Sequence, residues 1–136
     1  MDYLIKAQIR DPRARLFVFR AHKTMYGGRR IAAGDTVYVF SSENEGGPGL
    51  IARGVVMSAE PTPRKRGVAR QTPRVSVTVR RTKLAKRRLG RAELRPFSNW
   101  RDGRPETELN FKFYRQATNK IGAISAQAAT YVDSHF

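Results

Sequence analysis

Between Glu60 and Glu93 the chain carries twelve lysines and arginines and no acid. Guanidinium and ammonium groups at that density hold phosphate, by charge-assisted hydrogen bonds and by release of the counterions around it. The candidates are Arg64, Lys65, Arg66, Arg80, Arg81, Lys83, Arg87 and Arg88. The formal net charge is +16, and outside this stretch fifteen bases face eleven acids, an ordinary surface. A magnitude of about 2 to 8 keeps a small domain soluble, so the surplus asks for an anionic partner. Nucleic acid, RNA or DNA, comes first and acidic lipid second.

A second group could stack on bases. Phe97, Trp100, Phe111, Phe113 and Tyr114 crowd into eighteen positions beside Asn99, Arg101, Asn110 and Arg115. Aromatic faces interleaved with amides and arginines suit unstacked nucleotides, and the same rings suit a core, where some must lie. Other chemistries find little. His22 and His135 are far apart and cysteine is absent, so no metal-ligand spacing, thiolate or disulfide is on offer. No G-x-S-x-G elbow is present, and Gly46, Gly47 and Gly49 form a turn without the helix and lysine of a phosphate cradle. No catalytic residue and no cofactor is expected. Nothing approaches the roughly 18 apolar residues of a membrane-spanning helix. The expectation is a soluble, cytoplasmic protein that does not bind membranes.

The patterning describes the elements that must position these groups. Val75, Val77 and Val79 alternate with Ser76, Thr78 and Arg80, the period of a strand with one face on a core. Thr36 to Phe40 and Leu50 to Met57 are β-branched runs around the turn SSENEGGPG and read as an antiparallel pair. Residues 3–9 and 16–19 add two strands, separated by Asp11-Pro12. The stretch PTPRKRGVARQTPR reads as a hairpin-like loop, and residues 84–94 as a short basic helix. Ile121, Ile124, Ala128 and Val132 recur at helical spacing behind Asn119, predicting a C-terminal helix from residue 119 or 120. No repeat or linker divides residues 1–136, so a single domain is expected.

Residues 31–56, IAAGDTVYVFSSENEGGPGLIARGVV, resemble a signature of the PUA-like superfamily, especially EVE-type domains, centred on Gly34-Asp35. Tyr3-Leu4-Ile5 is similar to that family's opening strand, Tyr26-Gly27-Gly28 to its aromatic-glycine turn, and Arg74 to Val79 to its long strand after a basic insertion. Where the family carries tryptophans in the first two places, Leu4 and Tyr26 stand here. The resemblance implies a mixed α/β pseudobarrel of five to six mostly antiparallel strands, with short helices and a C-terminal helix. It also implies a pocket for a flipped or modified base, formed by Tyr26, Ser41, Ser42, Asn110 and Tyr114.

The leading expectation is therefore a non-catalytic nucleic-acid-binding domain. One alternative is a small amidohydrolase acting on a modified base, as elsewhere in the superfamily, with Lys23 and Thr24 in place but no glutamate on the RVSVTVRRT strand. Another is a structural RNA-assembly protein with a vestigial pocket.

Overall fold

Six strands close on themselves in the order β1-β3-β4-β5-β2-β6. They are β1 (Asp2–Ala7), β2 (Leu16–Met25), β3 (Thr36–Ser41), β4 (Gly49–Pro61), β5 (Arg74–Leu84) and β6 (Lys120–Ile124). A computed structural model describes residues 1–116 and 118–136. The β1–β3 and β2–β6 pairs are parallel and the other four antiparallel, so the barrel is mixed. The closing β2–β6 contact is short, Thr24 with Ile121 and Met25 with Gly122, and the earlier part of β2 is held by β5.

Side-chain parity divides the apolar residues into two layers. Tyr3, Ile5 and Ala7 of β1, Val37 and Val39 of β3, and the three alternating valines of β5 fill the barrel. Leu4, Tyr38 and Phe40 point the other way, onto Leu94, Leu109, Phe113, Ala128 and Val132 of the helical cover. Strands β1 and β3 are thus buried on both faces, which is why YLI and VYVF are unbroken apolar runs while β5 alternates. The cover comprises α1 (Arg91–Leu94), α2 (Pro105–Leu109), a π-helical turn over Asn110–Tyr114 and α3 (Ala126–Asp133).

The predicted start of the last helix is corrected. Residues 120–124 form β6, which pairs with β1 and β2 and closes the barrel. Ile121 enters the barrel and Ile124 the helical layer, so their spacing of three reflects two faces of a strand rather than one face of a helix. The helix starts at Ala126, capped by Ser125, whose Oγ accepts the Ala128 N–H at 3.0 Å, a contact worth about 1 kcal/mol. The basic helix expected over 84–94 shrinks to α1. Ahead of it, Ala85 N–H and Leu50 N–H bond across to Ile51 and Leu89 carbonyls and keep the segment extended along β4.

At the family-like turn Gly34 has φ +93°, where other residues are strained. Asp35 Oδ2 accepts the Ala32 N–H at 2.9 Å and closes the turn. Gly28 answers to a different constraint, since a Cβ there would overlap the Ile121 carbonyl on β6. Gly28→Ala is expected to destabilise the fold by about 1–3 kcal/mol, the usual cost of forcing atoms into a packed site, measured by urea denaturation.

Candidate nucleic-acid interface

The sharp turn after β2 presents Arg29 and Arg30, both exposed, on a short 3-10 turn (Gly28–Arg30). Across from it lies the loop 62–73. That loop is ordered by one side chain, as Gln71 accepts the Lys65 N–H at 2.8 Å and donates to the carbonyls of Lys65 (2.7 Å) and Val68 (3.0 Å). Between the two lies a cavity of about 550 Å³ lined by Arg29, Arg64, Lys65, Gln71 and Arg74, among others. A neighbouring cavity of about 340 Å³, lined by Thr24, Gly27, Gly28 and Arg30, shares Arg29 and Pro73 with it. No carboxylate lines either among the described residues.

Several arginines of the basic stretch are aimed by carbonyls. Arg74 Nη1 donates to Ala21 O at 2.9 Å, at the bulge of β2, and Arg81 Nη1 to Arg13 O at 2.7 Å; Arg87 reaches Ser134 O. A carbonyl fixes a guanidinium without cancelling its charge. Within the stretch, the side-chain ion pair found among the described residues is Arg88–Glu93 at 3.9 Å, an exposed contact of small worth. The twelve charges do not form one site. Arg64, Lys65 and Arg66 stand by the start of β5, whereas Arg80, Arg81 and Lys83 lie about 20 Å or more along it and Arg87 and Arg88 beyond its end.

An aromatic rim adjoins the cleft. Tyr26, held at φ +53°, places its ring 6.4 Å from Phe111, which meets Trp100 edge-on at 5.5 Å. Lys112 Nζ lies 5.7 Å from the Tyr26 ring and the Arg115 guanidinium 4.1 Å from that of Phe111. Beneath the rim, Lys6 and Lys120 are cross-strand partners, both fully buried. Lys6 Nζ donates to Phe113 O at 2.8 Å, and Lys120 Nζ to Lys112 O at 2.9 Å and Gln116 O at 3.4 Å. They bond carbonyls at and just past the C-terminal end of the π-helical turn, where the backbone dipole favours cations. Burial, then repulsion from Lys120 and Arg91, pulls the Lys6 ammonium down to about 8, against attraction from Glu43 and Glu45.

No family model and no curated protein matches the chain. Solved structures do. The DUF55 domain of human thymocyte nuclear protein 1 superposes with a TM-score of 0.66 at 16% identity, over 98% of this chain and 97% of that one. Human THYN1 protein in complex with 5-methylcytosine containing DNA gives 0.65 at 14% identity, over 98% and 95%. A Pseudomonas syringae protein gives 0.62 at 15% identity over the whole of both chains. The chain has the PUA-like fold.

Within this PUA-like barrel the five residues expected around a base are divided. Ser41 and Ser42 line a cavity of about 160 Å³ with Gln8, Glu45 and Gly47. Asn110 Nδ2 donates to Phe97 O at 3.0 Å, and Tyr114 OH to Glu43 Oε1 at 2.6 Å. Tyr26 stands beside Phe111, and the lysine pair lies between it and Tyr114, Lys120 Nζ 6.0 Å from the Tyr26 ring and Lys6 Nζ 4.5 Å from the Tyr114 ring. Sequence reasoning passed over Lys6, Lys120, Glu43 and Arg29. A lysine inside the apolar run YLIKA was the available signal for Lys6; Glu43 carried none, because its roles, accepting from Tyr114 and from Arg91 N–H at 2.8 Å, are set by distant segments.

The depressed Lys6 value has a consequence of fixed sign. Unfolded, the group keeps its proton up to its ordinary 10.5; folded, it releases it from about 8. Between those values the unfolded chain binds more protons, so stability rises with pH, with a slope of up to about 1.4 kcal/mol per unit for one proton. The rise is expected between pH 8 and about 10, above which the raised Tyr3, Tyr114 and Tyr131 phenols oppose it. Urea melts across that range are expected to show the rise in the native chain and a smaller rise in Lys6→Met, where the ammonium of Lys120, also pulled down by burial, still contributes.

Proposed function

We propose that this PUA-like domain binds nucleic acid without acting on it chemically, its cleft between Arg29 and the 62–73 loop holding the phosphate backbone. The observation that carries this reading is the adjacent pair of cavities, which share Arg29 and Pro73 and are lined by Arg29, Arg30, Arg64, Lys65 and Arg74 with no carboxylate among the described residues. Backbone phosphates are what a groove of one sign, open along its length, is suited to hold. The shared fold with human THYN1, whose structure is in complex with 5-methylcytosine containing DNA, supports nucleic acid as the partner. Tyr26, next to Gly27 of the cleft, is the member of the expected base set best placed to meet a nucleotide whose phosphate lies there. The second basic group, from Arg80 to Arg88, extends the backbone contact to another part of the ligand.

Two features favour binding over hydrolysis. Thr24 Oγ1 is spent on Pro73 O at 2.7 Å, and β5, beside Lys23, bears no acid that could serve as a base.

Titrations followed by fluorescence anisotropy from low to high salt test the reading. Each phosphate contact contributes about 0.7 to 0.9 to the slope of log affinity against log salt. Arg29→Glu with Arg64→Glu is expected to weaken every nucleic acid alike and to reduce the slope by about 1.4 to 1.8. An affinity insensitive to salt and to these reversals overturns the proposal.

A further inference from the structure

Beyond the cleft, across the rim that Tyr26 and Phe111 form, lies a cavity of about 270 Å³ lined by Trp100, Arg104, Thr107, Glu108, Phe111 and Lys112. We infer that it is a stacking site for one unpaired nucleobase, which makes a single-stranded or locally opened segment the preferred ligand. The inference rests on the nucleic-acid reading above and names the part of the ligand that the basic cleft cannot select.

Size comes first. The cavity falls just below the roughly 300–1,000 Å³ of small-molecule sites, room for a base but not for a stacked pair of them. Its wall includes the indole of Trp100, which is 42% exposed although packed edge-on against Phe111. A large exposed aromatic beside a second ring offers a π-face that any base can cover.

The polar groups are arranged for a neutral planar guest. Thr107 is 4% exposed; its Oγ1 makes no hydrogen bond of ordinary length, though it helps to lower the Asp102 carboxyl. A buried hydroxyl so weakly held is one that a base edge would satisfy. The charges around it are already matched. Although burial opposes it, hydrogen bonds from Ser125 and Lys112 hold the Glu108 carboxyl below its ordinary range. Lys112 Nζ sits 3.0 Å from Glu108 and 2.9 Å from Ala123 O, leaving Arg104 to meet the phosphate that follows the base. From Arg29 through Tyr26 and Phe111 to Trp100 the surface runs from basic to aromatic, the sequence of contacts a single strand requires.

Trp100 is the chain's single tryptophan, so its emission reports on this site alone. The intact protein is titrated with a short single-stranded oligodeoxynucleotide and with its blunt duplex, reading anisotropy for total binding and tryptophan emission for the site. The single strand is expected to quench Trp100 with the midpoint seen by anisotropy, and the duplex to bind with little quenching. Phe111→Ala is expected to weaken the single strand about 5- to 160-fold, the span of one base–aromatic stack. Thr107→Val, which keeps the side-chain shape, is expected to change the order of preference among homopolymers. Binding with unchanged emission, or quenching by the duplex as strong as by the single strand, overturns the stacking site and leaves the cleft standing. Absence of any anisotropy change overturns both.

Discussion

The barrel and its helical cover are joined by two ammonium groups with nowhere to go but the end of a helix. Lys6 and Lys120 face each other across β1 and β6, and burying two like charges side by side is costly unless each is well bonded. Their acceptors are main-chain oxygens of Lys112 and Phe113 in the π-helical turn and of Gln116 just beyond it. Each side thus satisfies a deficit in the other. The turn so pinned carries Phe111 outward to the rim and Phe113 inward to the core, where Gly122 on β6 leaves room for its ring, a Cβ there falling 2.9 Å from Phe113 Cζ.

A different economy governs the surface. The arginines of the basic stretch meet carbonyls far more often than carboxylates, so their side chains are ordered while the field they create persists. Glu43 illustrates the exception: it approaches the basic face yet is occupied by Tyr114 and the Arg91 amide, and so serves as a clamp between segments.

How much of this was legible follows from what each signal depends on. The valine alternation of β5 and the runs of β1 and β3 are local consequences of burial, and the chain around Gly34-Asp35 resembles known barrels, so the first five strands and a pseudobarrel with a C-terminal helix could be read directly. The last helix was placed too early because Ile121 and Ile124 satisfy a helical spacing equally well as residues on opposite faces of a strand. Only the pairing with β1 and β2 decides between them. The charge run was visible, but not its division along β5, since a linear count of arginines does not say which end of a long strand each occupies. The cavity under Trp100 was hidden for a similar reason: Thr107 and Arg104 come from residues with no distinctive spacing, brought together by α2.

The Gln71 side chain bears on time rather than on energy. An arginine-rich loop without internal bonds would have to find its shape after meeting its ligand, and encounters would be lost while it did so. Here one primary amide bonds Lys65 on both its N–H and its carbonyl and reaches Val68 as well, so the loop holds its conformation beforehand. A preformed cationic surface converts a larger share of collisions into complexes, and long-range attraction raises the number of collisions. On the proposed reading, capture at this surface is limited by diffusion in an electric field rather than by rearrangement of the chain.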